Sequence, residues 1–127
     1  SVFVPAVLPV TVDQNGKVYV SNAEIVNHST AAVQVSSVTL TAENGWTLVP
    51  YASDMSHAKV DSNQIGFKIN SAQTSKTGST EQFELTSPWQ IAEEESLTLT
   101  YDAVVSALSQ PVTNANILCV LFVVEWA

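Results

Sequence analysis

A chain of 127 residues is long enough for one domain with a real hydrophobic core, and twelve acidic against four basic residues give it a formal charge of −8. The basic residues are all lysines (Lys17, Lys59, Lys68 and Lys76), too few to build the cationic groove that nucleic acid or an anionic membrane surface requires. Charged residues make up only 13% of the chain, against roughly 25% in ordinary soluble domains. Ser, Thr, Asn and Gln supply the polarity instead, a composition associated with extracellular β-proteins. No stretch approaches the roughly 18 apolar residues of a membrane-spanning helix, so no membrane insertion is expected.

Residues 1–9 (SVFVPAVLP) are apolar, yet Pro5 and Pro9 remove two backbone donors and exclude a central position in a sheet. Such a segment has two fates. It can lie along an edge of its own sheet, or it can add a strand to the open edge of a neighbouring subunit. Val2, Phe3, Val4, Val7 and Leu8 are then its candidate joining residues. On this reading residues 1–9 form an extended N-terminal segment and residues 10–127 the domain proper.

From Val10 onward the pattern is β. Val10 and Val12, then Val18 and Val20, flank Asn15-Gly16, the strongest short-range hairpin signal, because both central turn residues must take positive φ. A short strand over Ala23–Val26 follows. Between Ala32 and Thr41, Val33 and Val35 share one parity and Val38 and Leu40 the other, which predicts a bulge near Ser36-Ser37. Asn44-Gly45 predicts a turn ahead of Trp46 and Leu48. Ile65, Phe67 and Ile69 alternate cleanly, and Ser71 to Thr80 reads as a loop. Phe83–Leu85, Trp89–Ile91 and the series Leu97, Leu99, Tyr101 are further strands. Tyr101 to Ser109 is the only stretch expected to hold a helical turn.

The last run, Ile117 to Trp126, is apolar on both strand faces. Ile117, Cys119, Leu121 and Val123 point one way and Leu118, Val120, Phe122, Val124 and Trp126 the other. A surface strand of a two-layer sandwich should be polar on one face. Both faces of this one therefore need cover, from the chain itself or from another molecule. Leu118, Val120, Phe122 and Val124 are the candidate acceptor residues for an incoming strand. Many short strands between turn signals predict an all-β, immunoglobulin-like Greek-key β-sandwich, in a single domain without repeats.

Chemistry is sparse. His28 and His57 stand in polar, turn-like settings with no metal-ligand spacing. No serine occupies a Gly-x-Ser-x-Gly elbow, and with four glycines there is neither a phosphate loop nor a dinucleotide fingerprint. Cys119 is the only cysteine, which rules out an internal disulfide, and it reads as a small core hydrophobe. Glu93-Glu94-Glu95 reads as a solvated loop, with calcium as the alternative if Asp102 or Asp61 supplies further oxygen ligands. Asn27-His28-Ser29 is a glycosylation sequon, meaningful only in a glycosylating host. Trp46, Tyr51 and Trp89 are candidates for a sugar-stacking surface, set against the plainer reading of aromatics as core plugs. Ser1 in place of Met fits an exported chain cut after a small residue, and equally a trimmed one.

The stretch from Val18 to Leu48 (VYVSNAEIVNHSTAAVQVSSVTLTAENGWTL) resembles small secreted surface proteins of Gram-positive bacteria. Ile25 to Val35 is similar to the start of the camelysin and TasA type of sandwich, whose members include fibre-forming matrix proteins. Trp46-Thr47-Leu48 resembles the first signature of the WxL cell-wall-binding domains. The second WxL signature would need Leu two residues after Trp126, and the chain ends at Ala127. The resemblance covers about a third of the chain and implies an exported, surface-associated protein that is not an enzyme.

The expectation is therefore a non-catalytic structural subunit of an extracellular filament or cell-surface assembly, its partner another copy of itself, joined by strand addition of the N-terminal segment. The alternative is a cell-wall or polysaccharide-binding module. No catalytic residue, metal site or cofactor is predicted.

Overall fold

The computed structural model describes residues 2–7, 10–12, 18–20, 23–110, 112–115 and 117–127. In chain order the strands are β1 (Val2–Val7), β2 (Val10–Val12), β3 (Val18–Val20), β4 (Ala23–Val26), β5 (Val33–Ala42), β6 (Thr47–Leu48), β7 (Gln64–Ile69) and β8 (Ala72–Gln73). They continue with β9 (Thr80–Ile91), β10 (Ser96–Leu99), β11 (Tyr101–Val105), β12 (Val112–Ala115) and β13 (Leu118–Trp126). The protein is an all-β, multi-stranded sheet domain.

The largest sheet has the order β1-β13-β5-β9 and is antiparallel throughout. A second four-stranded sheet contains β11-β7-β6, with β8 paired to β7. There β6 runs parallel to β7 and β11 antiparallel to it. β10 pairs with β4, and β12-β2-β3 form a three-stranded sheet. β10 and β11 are one run interrupted at Thr100, whose N–H donates to Asn70 Oδ1 at 2.8 Å and whose carbonyl accepts from Asn70 N at 2.7 Å. An asparagine at φ 48° thus takes the place of a strand partner where the run changes neighbours.

Local chemistry accounts for much of this. Asn44 and Gly45 both take positive φ (55° and 84°), and Trp46 N donates to Glu43 O at 3.1 Å, which defines a type I′ turn. The bulge in β5 lies where the parity switches: pairing to β9 shifts between Val35 and Ser37, and pairing to β13 shifts between Val123 and Val124. The extra residue, Ser36, allows Val35 and Val38 both to be fully buried despite their opposite parity. β2 and β3 pair antiparallel with Val12 opposite Val18, as the hairpin reading requires, while the Asn15-Gly16 turn lies outside the described residues.

Three expectations change. Phe83–Leu85 and Trp89–Ile91 are parts of one strand, β9, because Pro88 falls at the irregularity of an edge strand, where no ladder N–H is needed. The loop expected over Ser71–Thr80 contains the short strand β8, and Thr80 already begins β9. Tyr101–Val105 is a strand, with Tyr101, Ala103 and Val105 buried and Asp102 exposed, a period of two that outweighs helix propensity. The helical turn among the described residues lies instead at Met55–His57, capped by Asp54.

Among the described residues, one hydrophobic cluster draws on both four-stranded sheets and on β10. It takes Val35, Val38 and Leu40 from β5, Leu118, Val120 and Phe122 from β13, Ile65, Phe67 and Ile69 from β7, and Leu99, Tyr101, Ala103 and Val105 from β10 and β11. Side chains of this size contribute roughly 1.5–3 kcal/mol each on full burial. Gly66 is required by close approach: a Cβ there would lie 2.7 Å from Pro50 O and 2.8 Å from Tyr51 Cα.

Candidate functional site

The N-terminal segment is the first candidate. β1 lies antiparallel along β13 of the same chain, with Val2 opposite Val124, Val4 opposite Phe122, Pro5 opposite Leu121 and Val7 opposite Cys119. Among the described residues β1 pairs with β13 alone, an edge position that suits Pro5. Leu8 lies outside the described residues, and Val2, Phe3, Val4 and Val7 are placed by their backbone register. On the acceptor side Leu118, Val120 and Phe122 are fully buried core residues, while Val124 is half-buried and packed against that core. Cys119, Leu121 and Val123, of the opposite parity, are half-buried. The two faces of β13 are thus unequal: one closes the core and the other is partly open. Trp126, at the strand's end, is 67% exposed.

The three aromatic candidates do not form one platform. Trp46 is 8% exposed and belongs to the core cluster, which removes it from any stacking surface. Trp89 is half-buried, and its Nε1 donates to Ser71 Oγ at 3.0 Å. Tyr51 is half-buried, and its hydroxyl donates to Asp102 Oδ2 at 2.6 Å. That bond, followed by partial burial and by the nearby negative charge, holds the Tyr51 phenol above its ordinary pKa. A small hollow beside Tyr51 is lined by Lys68, Asn70, Thr100 and Asp102.

The polar residues have local structural work. Asp61, at φ 61°, accepts from Ser109 N at 2.9 Å and Ser109 Oγ at 2.7 Å, and these bonds hold its carboxyl below the usual carboxylate range. Asp54 accepts from Ser56 N at 2.9 Å, with the same effect on its pKa. Asp102 is engaged by Tyr51. Glu93-Glu94-Glu95 form the exposed turn between β9 and β10. No three His, Cys, Asp or Glu side chains converge on a metal-sized site among the described residues. His28 is exposed, and Cys119 is a free thiol on β13.

Sequence reasoning missed three buried polar residues that organise the loops. Asn27, 5% exposed, donates through Nδ2 to the carbonyls of Ala31 (2.9 Å), Ile91 and Ala92 (both 3.1 Å), and its Oδ1 accepts from Ser29 N at 3.0 Å and Ser29 Oγ at 2.5 Å. The sequon's asparagine is therefore turned inward as a structural bracket. Thr74 Oγ1 donates to Val49 O at 2.7 Å and accepts from Phe67 N at 3.0 Å. The Glu81 carboxylate, 7% exposed, accepts from Ser75 N, Ser75 Oγ and Lys76 N, with no distance above 3.1 Å. Burial of a polar side chain is the only signal that could have found them, and a single sequence does not carry it.

No family model matches the chain, and neither a curated protein nor a solved structure matches it.

Proposed function

We propose that the chain is a non-catalytic structural subunit of an extracellular filament or cell-surface assembly, built as an immunoglobulin-like Greek-key sandwich and joined to further copies of itself through β1. One observation carries the reading: β1 is an apolar, proline-bearing edge strand whose described partner is β13, the strand that supplies Val120 and Phe122 to the core. If β1 leaves, β13 exposes a row of unpaired backbone groups beside an apolar core. The β1 of a neighbour restores the same ladder at little enthalpic cost, so subunit concentration and the connection to the rest of the chain decide between the closed monomer and the exchanged chain of subunits. The low share of charged residues, 13%, and the resemblance of residues 25–35 to the camelysin and TasA type of sandwich support the same reading. With a formal charge of −8, such joints rest on apolar contact and backbone pairing and should persist at high salt.

Negative-stain electron microscopy of the full chain beside a version lacking residues 1–9 tests this. Regular fibres that disappear with the deletion, and fail to return when the SVFVPAVLP peptide caps the vacant edge, are expected. Assembly that survives the deletion, or dispersed monomers in both samples, overturns the reading.

A second reading, a cell-wall or polysaccharide-binding module, is favoured by Trp89, whose half-buried indole bonds Ser71 at the rim of a hollow beside β9. Retention on insoluble peptidoglycan or starch, lost in a Trp89→Ala variant, is its expected signature.

A further inference from the structure

The turn that joins β5 to β6 lies at the surface, with Glu43, Asn44 and Gly45 all exposed to water. Its two ends are fixed. Before it, Ala42 N donates to Ser79 O at 2.8 Å and Glu43 N to Ile117 O at 2.9 Å. After it, Trp46 is buried in the core cluster, and its N–H closes the turn on Glu43 O at 3.1 Å. Positive φ at Asn44 and Gly45, 55° and 84°, goes with a ψ of about +30° at Asn44, the mirror image of a type I turn. At that angle the tetrahedral Cα sets Asn44 Cβ almost opposite the Gly45 nitrogen across the Cα–C bond.

We propose that Asn44 is a deamidation site gated by this turn, which withholds the reaction while closed and admits it when open. The chemistry is intramolecular. The Gly45 backbone nitrogen attacks Asn44 Cγ and gives up its proton, the C–N bond of the side-chain amide breaks, and ammonia leaves. The succinimide so formed takes up one water. Cleavage at Cγ returns aspartate in the ordinary main chain, and cleavage at the main-chain carbonyl returns isoaspartate, with the chain rerouted through Cβ. Glycine leaves the attacking nitrogen unscreened, and a Cβ at Gly45 would meet nothing within 4 Å, so the ring has room. Ring closure needs Asn44 Cβ and the Gly45 nitrogen nearly eclipsed, the reverse of the closed turn, so the bond from Trp46 N to Glu43 O must break first. The two products then differ. Asp-Gly suits the same type I′ turn as Asn-Gly, so aspartate lets the turn close again. Isoaspartate inserts an extra backbone atom into a two-residue connection whose ends are held at Ile117 and Trp46, and that turn cannot re-form. Either product adds one negative charge to the formal −8.

The test is to hold the full chain, folded and unfolded in guanidinium chloride, at the same warm, mildly alkaline pH. Both samples are then mapped by tandem mass spectrometry with fragmentation that separates aspartate from isoaspartate. Conversion at Asn44 is expected in the unfolded chain, and in the folded chain at least about tenfold more slowly, the ratio being set by the population of the opened turn. Asn44→Asp should keep the wild-type melting temperature, whereas protein carrying isoaspartate at position 44, isolated by chromatography, should melt lower. Equal rates in the two states would overturn the gate. No conversion at Asn44 in the unfolded chain would overturn the site itself. An isoaspartate form as stable as Asn44→Asp would mean that the turn accepts both isomers, and would overturn their separation.

Discussion

Asn27 Nδ2 donates to the Ile91 carbonyl at 3.1 Å, a bond between residues 64 positions apart that ties the loop after β4 to the end of β9. The same amide reaches Ala31 and Ala92, and the carbonyl oxygen of Asn27 holds Ser29, so both ends of the side chain are saturated. Three carbonyls around Nδ2 and two donors at Oδ1 also fix which way the amide points.

Asn27→Ala should therefore cost about 2 kcal/mol, because the buried Ile91 carbonyl and the part-buried carbonyls of Ala31 and Ala92 lose their donor. Asn27→Asp should cost at least as much, since a carboxylate cannot donate to them. Urea unfolding of both variants checks this. Expressed in a glycosylating host, the folded protein should carry no glycan at Asn27, which is 5% exposed. Intact-mass measurement of the native fraction decides that point.

Thr74 is 1% exposed and bridges Val49 O and Phe67 N. Thr74→Val keeps the shape and strands both partners, an expected loss of about 3 kcal/mol. Thr74→Ser keeps both bonds and loses one methyl, about 1 kcal/mol. A Val variant no less stable than the Ser variant in chemical denaturation would contradict the bridge.

Two glycines should separate sharply. At Gly66 an added methyl meets the backbone of Pro50 and Tyr51 at 2.7 and 2.8 Å and Val104 Cγ2 at 2.9 Å. Gly66→Ala should cost about 2–3 kcal/mol through overpacking. Gly78→Ala, with nothing within 4 Å of the new Cβ, should stay within about 0.5 kcal/mol of wild type. Thermal melts of the pair suffice.

The phenol of Tyr51 donates to Asp102, and its pKa is raised in the folded protein. A raised folded value means that its contribution to stability is complete below the unfolded value of about 10 and is lost as pH climbs through the folded one. In ultraviolet titrations compared with Tyr51→Phe, the Tyr51 phenol should ionise late, and Asp102→Asn should bring it back toward the ordinary value. On the acid side Asp61 is depressed by its two bonds from Ser109, so its contribution is present above the unfolded carboxylate value and disappears as pH falls through the folded one. Ser109→Ala should weaken that acid dependence.

The register that sets Val7 opposite Cys119 allows a covalent report on β1. Under mild oxidation Val7→Cys should form a disulfide with Cys119, closing within one chain in the monomer and between chains in an exchanged assembly. Non-reducing electrophoresis of assembled protein should show a ladder of covalent oligomers. A single monomer band from fibres would mean that β1 stays on its own sheet.

Much of the strand pattern was legible in the sequence. The alternation of Ile65, Phe67 and Ile69, the parity switch at Ser36-Ser37 and the Asn44-Gly45 turn are decided by side-chain direction and φ over a few residues, and the folded chain uses each as read. Where the reading failed, distant residues decided. Pro88 breaks a strand only if its N–H is needed, and the edge position of β9 removes that need. Tyr101–Val105 is a strand because β7 lies beside it, pairing Tyr101 with Ile69 and Val105 with Ile65.

By itself, then, the sequence determined that the protein is β-rich, acidic, poor in cations and apolar at both ends, because composition and two-residue periodicity are properties of short stretches. Tertiary structure alone decided that Trp46 is core, that Asn27, Thr74 and Glu81 are internal brackets, and that β1 lies along β13. Each of those outcomes depends on which backbone groups and apolar surfaces lie across a gap of many residues, and burial makes their satisfaction compulsory only once the sheets have met.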